Sequence, residues 1–269
     1  MDLPAALLKP LQPARTPDTD PIQMFWFGDP MPLAHRVCLK TWVRQGYTPQ
    51  LWCYDAQEPI EGVEQRNAAE VLPRELADGW AALPVPHAKQ TFANFFRYLL
   101  MYRVGKGWWA DTDLVCLSRL TEFPTSFTWT NDIATRPELR ELFPTLPEFG
   151  GNILNTVFRV SHLDQSWLLE LCRQLWPGLE ALECPAFGQT GTIAFTTAIY
   201  RNYRVPPLRP MIGNCWRTRY RLFEDPSWSP PSWATLLHLY NFTNPRPETA
   251  VPGSCWQRML ERFGEVVHN

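Results

Sequence analysis

The chain has 269 residues, 45% of them hydrophobic, and a formal net charge of −2. That length holds one sizeable α/β domain, and the composition excludes a disordered chain or a generic binder of polyanions. Four lysines and 21 arginines are scattered without a basic block, so no nucleic-acid partner is expected.

Residues 1 to about 20 carry an early acid and repeated prolines; they read as a Pro-rich tail outside the core, not as a signal peptide. Residues 22–27, IQMFWF, stopped by Gly28 and Pro30, predict a buried strand and a turn. Leu33, Val37, Trp42 and Val43 give a loose helical pattern over 33–45 that Gly46 can close. Residues 50–55 predict a second strand ending on Asp55. Strand, helix, strand with short connections is a βαβ opening, which favours a sheet covered by helices. Residues 56–88 hold no pattern that organises them.

After this gap Phe92, Phe95, Phe96, Leu99 and Leu100 fall at i, i+3, i+4, i+7 and i+8, predicting a core-facing helix that Gly105 ends in the left-handed conformation. Asn94 and Arg97, three apart, share a different face of it. The aromatic strand Trp108, Trp109, Ala110 then runs into Asp111, Thr112 and Asp113, and residues 114–117 read as another apolar strand. Further strands are expected at 127–130, 152–160 and 236–240, and helices at 164–175 and 192 to about 200. The span 21–245 reads as one domain, with 246–269 as an extension packed on it or trailing it. There is no internal repeat.

The seven cysteines include no C-x-x-C spacing, so neither a zinc site nor a disulfide framework is signalled, and a reducing cytosol is the expected setting. No apolar stretch approaches the length of a membrane span. Peripheral contact with the inner face of a membrane remains compatible with a lipid-linked substrate.

Two aspartates at i and i+2 on extended backbone project to one side, and at a strand's end they can share a hard divalent cation, Mn²⁺ or Mg²⁺, with phosphate oxygens. The motif alone is weak, because with roughly one residue in ten acidic about three such triplets arise by chance. The chain contains its own control. The same Asp-Thr-Asp tripeptide occurs at 18–20, in the proline-bounded tail with no strand before it, and there it reads as solvated turn residues. At 111–113 the preceding aromatic strand and long helix change the odds.

The run FANFFRYLLMYRVGKGWWADTDLVCL at 92–117 resembles the signature of the DXD-containing sugar transferases, in particular the capsular-polysaccharide-synthesis type. That signature is a helix bearing S-D-x-x-R-Y, a G-G turn, and W-W-x-D-T-D-V-V-C-L. The stretch IQMFWFGDPMP is similar to that family's first strand, and residues 51–55 to its second. Residues 189–192, QTGT, are similar to its T-G-P segment, and 238–241, HLYN, to its H-L-W-N. Departures are Asn94 for the usual Asp, Lys106 in the glycine turn and Thr192 for Pro.

The resemblance implies a single-domain α/β fold of the A-type nucleotide-diphospho-sugar transferases, a Rossmann-like mixed sheet flanked by helices. It also implies retention at the transferred hexose, a nucleotide-diphosphate sugar donor, and a saccharide or lipid-linked acceptor. On that basis Trp26 stacks on the base, with Phe27, Gly28 and Thr112 nearby in the donor site. Arg97 holds sugar or phosphate, and Asp111 contacts ribose, sugar or metal. Asp113 is the principal metal ligand, completed by His238 and Asn241. Asn94 contacts the sugar and, with Arg97 and Asp111, makes up the catalytic set that the resemblance implies; Thr190 and Gly191 belong to the acceptor or sugar pocket. Because an amide cannot act as a base, Asn94 also leaves open a non-catalytic nucleotide-sugar-binding protein. A nucleotidyltransferase using the same carboxylates is a third reading.

Overall fold

The computed structural model describes residues 2–11, 21–120, 125–129, 153–204, 206–209, 211–213, 220–240 and 250–263. The chain begins as expected: β1 (Ile22–Trp26), α1 (Leu33–Arg44) and β2 (Pro49–Cys53), with β1 and β2 parallel and in register from Ile22 on Pro49 to Trp26 on Cys53. The stretch without a legible pattern contains β3 (Glu64–Asn67), parallel to β2, and α2 (Arg74–Ala81). β3 escapes detection because Glu64, Gln65, Arg66 and Asn67 are all polar. An edge strand with only partial cover does not need apolar alternation.

The long helix is α3 (Ala88–Val104). Gly105 ends it at φ +81°, its N–H bonded to the Met101 carbonyl. β4 (Gly107–Ala110) follows at once. A Cβ on Gly107 would stand 3.0 Å from the Pro21 carbonyl oxygen, so the close approach of β4 to β1 needs glycine there. Alternation along β4 sends Trp108 into the core under one face of the sheet and Trp109 into the core under α3.

β5 (Leu114–Cys116) leaves the main sheet and pairs antiparallel with β9 (Leu236–His238). β6 (Ser126–Trp129), β7 (Ile153–Val160) and β8 (Leu208–Arg209) complete a seven-stranded mixed sheet of order β3-β2-β1-β4-β7-β6-β8. β4 pairs parallel to β1 and antiparallel to β7. Helices α4 (Gln165–Glu180) and α5 (Ala194–Asn202) pack with α3 against one face. α6 (Arg221–Glu224) and α7 (Cys255–Arg262) pack with α1, β5 and β9 around the buried Trp256.

Two expectations are corrected here. Residues 2–11 do not trail outside the core: Leu3 and Leu11 are buried in it, and the buried Arg103 guanidinium on α3 bonds to the Lys9, Glu70 and Val71 carbonyls. Proline there reflects a 3₁₀ turn over Ala5–Leu8, not disorder. The strand expected at 236–240 stops at His238, since Tyr240 takes φ +52°. The control triplet at 18–20 lies outside the described residues.

Candidate active site

β1 and β4 are parallel neighbours, yet the chain passes from β1 to β2 on one side and returns to β4 on the other. At such a switch point the loops beyond the two carboxyl ends diverge and leave a crevice between them. β1 ends on Trp26 and the loop after it carries Phe27 and Gly28; the turn after β4 carries Asp111, Thr112 and Asp113.

The two aspartates do not lie on extended backbone, as their spacing suggested. Leu114 N–H bonds to the Asp111 carbonyl at 3.3 Å, so residues 111–113 form a turn between β4 and β5. In a turn the i, i+2 rule fails, and each carboxylate finds its own partner. Asp111 Oδ1 lies 3.0 Å from Arg97 Nη2 and accepts from Trp109 Nε1 at 2.8 Å. Asp113 Oδ2 lies 3.1 Å from His238 Nε2. The β5 to β9 pairing delivers His238 there, because Leu114 is opposite His238 and Leu239 N–H bonds to the Asp113 carbonyl.

The carboxylates still feel each other. Burial pushes the Asp111 carboxyl up, Arg97 opposes that, and the Asp113 charge pushes it further up. For His238, burial works against the charged form. The Asp113 carboxylate, by charge and hydrogen bond, and then Asp111 outweigh it, and the imidazole is raised. With side-chain exposures of 22% for Asp111 and 11% for Asp113, neither group is sealed from solvent.

Arg97 is the hinge of the electropositive side. Its side chain is 7% exposed, its guanidinium stands over the Trp109 ring, and Nη1 donates to the Asn155 carbonyl. Its buried Nε finds no partner among the described residues. Asn94, one turn earlier, accepts from Asn155 Nδ2 at 2.9 Å and donates to Thr190 Oγ1 at 3.2 Å. Tyr98 OH donates toward the Thr190 and Gly191 carbonyls at 3.1 and 3.3 Å, and accepts from Asn155 Nδ2. Gly191 sits where a Cβ would approach Asn94 Nδ2 to 3.0 Å. It belongs to a π-type turn, Gln189–Ile193, that precedes α5.

The remaining expected site residues fall as follows. Trp26 is half-buried, its ring tilted against His35 with centroids 4.6 Å apart and Nε1 donating to the Asp29 carbonyl at 2.7 Å. Phe27 packs among Phe25, Tyr54 and Phe92, so its ring belongs to the core side of the loop. Gly28, at φ +130°, leaves room for the Lys89 ammonium, which a Cβ would meet at 3.2 Å. Thr112 is buried, with Oγ1 2.9 Å from His35 Nδ1, and thus braces the turn against α1. Asn241 lies outside the described residues.

Sequence reasoning missed His35, Trp109, Tyr98 and Asn155 as parts of the cluster. Asn155 had a signal: a carboxamide at an inward position of the apolar strand β7 must be satisfied by something.

Of the expected cation ligands, the structure brings two side chains together, Asp113 and His238. Asp113 and His238 present an oxygen and a nitrogen 3.1 Å apart, close to the separation of about 3 Å between adjacent ligands bound at roughly 2.1 Å around a metal. Among the described residues no three or more His, Cys, Asp or Glu side chains stand close enough together to hold a metal ion, so Asp111 does not join Asp113 and His238 in one cluster. A site of this kind keeps open positions for water and phosphate oxygens.

The architecture is an α/β fold with a mixed seven-stranded sheet flanked by helices, the fold of A-type glycosyltransferase structures. No protein-family model and no curated protein matches the sequence. Among solved structures, the WbbM bifunctional glycosyltransferase superposes with a TM-score of 0.52 at 9% identity, over 96% of this chain and 51% of that one. This chain therefore spans about half the length of that protein, and the likeness is one of fold. Two others are more distant in shape. The PaToxG glycosyltransferase has a TM-score of 0.48 at 13% identity, covering 69% of this chain and 70% of that chain. Mouse xyloside xylosyltransferase 1 has a TM-score of 0.40 at 12% identity, covering 82% and 98%. Among the described residues no helix is long and apolar enough to cross a membrane.

Proposed function

We propose that the protein is a metal-dependent, retaining glycosyltransferase that moves a hexose-type sugar from a nucleotide-diphosphate sugar to a saccharide or lipid-linked saccharide. One observation carries the reading: Asp113 and His238, 125 positions apart in the chain, meet at 3.1 Å beside the partly buried ion pair of Arg97 and Asp111. Mixed oxygen and nitrogen donors favour Mn²⁺ over Mg²⁺. A divalent cation bound there supplies charge neutralisation for the departing diphosphate.

The chain's own residues bind and orient. Trp26 offers a half-exposed ring for the base, and Arg97 presents a fixed, permanently charged guanidinium to sugar or phosphate oxygens. Asn94, Thr190 and Gly191 line the sugar side with an amide, a hydroxyl and backbone groups. Asp111, held by Arg97 and Trp109, is oriented before any ligand arrives. Such an arrangement acts by positioning and by preorganised charge.

A second reading, a nucleotide-sugar-binding protein without turnover, draws support from Asn94, whose amide is uncharged and already bonded at both ends. Incubating the protein with Mn²⁺ and a panel of nucleotide sugars separates the two. Slow release of nucleoside diphosphate marks a transferase hydrolysing its donor. Binding without release over hours supports the second reading, and release of pyrophosphate would point to nucleotidyl transfer.

A further inference from the structure

α3 runs antiparallel to β1, and stacked rings set the two elements against each other. Phe96 lies on Phe25 with centroids 3.8 Å apart, and Phe92 packs on Phe27 at 5.2 Å. Three residues earlier, the Lys89 ammonium stands 5.8 Å from the centroid of the Phe27 ring, and a Cβ on Gly28 would meet it at 3.2 Å. Lys89 is thereby placed beside the loop that leaves β1, two residues past Trp26.

The residue is exposed, and among the described residues its ammonium meets no carboxylate. The Phe27 ring holds the charge over the loop without neutralising it. The position also opposes the charge. Lys89 lies in the first turn of α3, where the helix dipole disfavours a cation, and no acid accompanies it there. What this cation lacks is an anion.

Arg97 lies eight positions further along α3, about 12 Å along the axis. Its guanidinium is already engaged by Asp111 and the Asn155 carbonyl, near the meeting of Asp113 and His238. A ligand that reaches both cations is therefore elongated, and each cation touches a different part of it. With the base on Trp26 and the sugar beside Arg97, as proposed above, the phosphate nearest the loop after β1 is the one joined to the nucleoside. An ammonium is a compact, strongly hydrated charge, and an anionic oxygen replaces its water better than a neutral carbonyl or hydroxyl does.

We propose that Lys89 donates to the α-phosphate of the donor nucleotide and so selects nucleotides over nucleosides. This assignment rests on the nucleotide-sugar reading of the site, and not on the metal.

Adenosine, guanosine, cytidine and uridine, with the 5′-monophosphate and 5′-diphosphate of each, are titrated by ligand-observed NMR with chelator present. In the wild type the monophosphate of the preferred base should bind at least about tenfold more tightly than its nucleoside, the gain of one charge-assisted hydrogen bond at an open site. Lys89→Met, which keeps an apolar stem over Phe27, should lose that gain, and Lys89→Arg should keep it. The nucleoside Kd and the melting temperature should be the same in all three proteins. No gain in the wild type, or a gain that survives in Lys89→Met, overturns the proposal. So does a loss that reaches the nucleoside equally, which would put the ammonium on base or ribose. An effect of Lys89→Met confined to the diphosphate also overturns it, by moving the contact to the β-phosphate. Failure of the broader reading looks different. A wild type that binds none of these ligands sinks both, whereas a Lys89-dependent gain with no nucleoside diphosphate released from any nucleotide sugar in Mn²⁺ sinks transfer alone.

Discussion

Replacing Asp113 with Asn removes one charge and keeps the side chain's shape, and the structure sets two opposing effects on stability. The charge-assisted hydrogen bond to His238 is weakened, a loss of about 1.5–3 kcal/mol. Against it, the repulsion that raises the Asp111 carboxyl disappears. The net change is within about 2 kcal/mol, and at about 2–4 °C per kcal/mol for a chain of this size the melting temperature moves by less than about 8 °C. Ligand binding has no such compensation. Loss of a ligating carboxylate should raise the Kd of Mn²⁺-dependent donor binding by at least about 100-fold, or about 2.7 kcal/mol. Titration calorimetry of wild type and Asp113→Asn, each with Mn²⁺ and with chelator, measures this, and Asp18→Asn in the twin triplet is the control expected to change nothing. A metal-dependent Kd identical in wild type and variant would refute the assignment, and so would a variant that loses binding only because it no longer folds.

Four more outcomes follow from the same contacts. Arg97→Ala strands the Asp111 carboxylate in a partly buried site and should destabilise the fold by about 3–5 kcal/mol in urea titration, with donor binding lost. Asn94→Asp keeps an acceptor for Asn155 Nδ2 and can accept from the Thr190 hydroxyl, so the fold should hold and donor hydrolysis should rise; a fall would mean the pocket is adapted to the amide. Asp164→Ala leaves buried donors from Thr125, Ser161, Trp167 and Tyr203 without their shared acceptor and should cost at least about 3 kcal/mol by urea denaturation. Gly105→Ala forces a side chain into the left-handed region, with its Cβ 3.2 Å from the His162 ring, and should lower stability by about 1–2 kcal/mol with metal binding unchanged.

How much of this was legible depended on whether one period governed a segment. β1, α1, β2, α3 and β4 each bury an apolar face, and periodicity finds them. β3 is polar and borrows its stability from β2, and residues 2–11 are held by backbone carbonyls that Arg103 gathers, so neither leaves a pattern. In the site, Asp111, Asp113 and Arg97 were visible through spacing and resemblance, and His238 through resemblance alone. The pairing of Asp113 with His238 depends on β5 leaving the main sheet for β9, a topological choice that no local window contains. Asn155 and Tyr98 were hidden for a related reason: each is an ordinary residue on its own element, and only the juxtaposition of α3, β7 and the 189–193 turn makes them a network.

That juxtaposition also sets the surroundings of Asp-Thr-Asp at 111–113. The second triplet follows a buried strand beside a parallel neighbour reached from the other side, so its turn stands at a topological switch point. α3 enters from below and supplies a cation to the first aspartate; β9 enters from the side and supplies an imidazole to the second. Each carboxylate is thus oriented by a different element. The Thr112 hydroxyl, 2.9 Å from His35 Nδ1, ties the turn between them to α1. On this argument Thr112→Val, which keeps the volume and removes the hydroxyl, should weaken Mn²⁺-dependent donor binding by about tenfold, as loss of a supporting hydrogen bond does at other metal sites. Metal-independent binding of the nucleotide should stay unchanged. An equal loss with and without metal would show that Thr112 supports the donor pocket at large and not the spacing of the two acids.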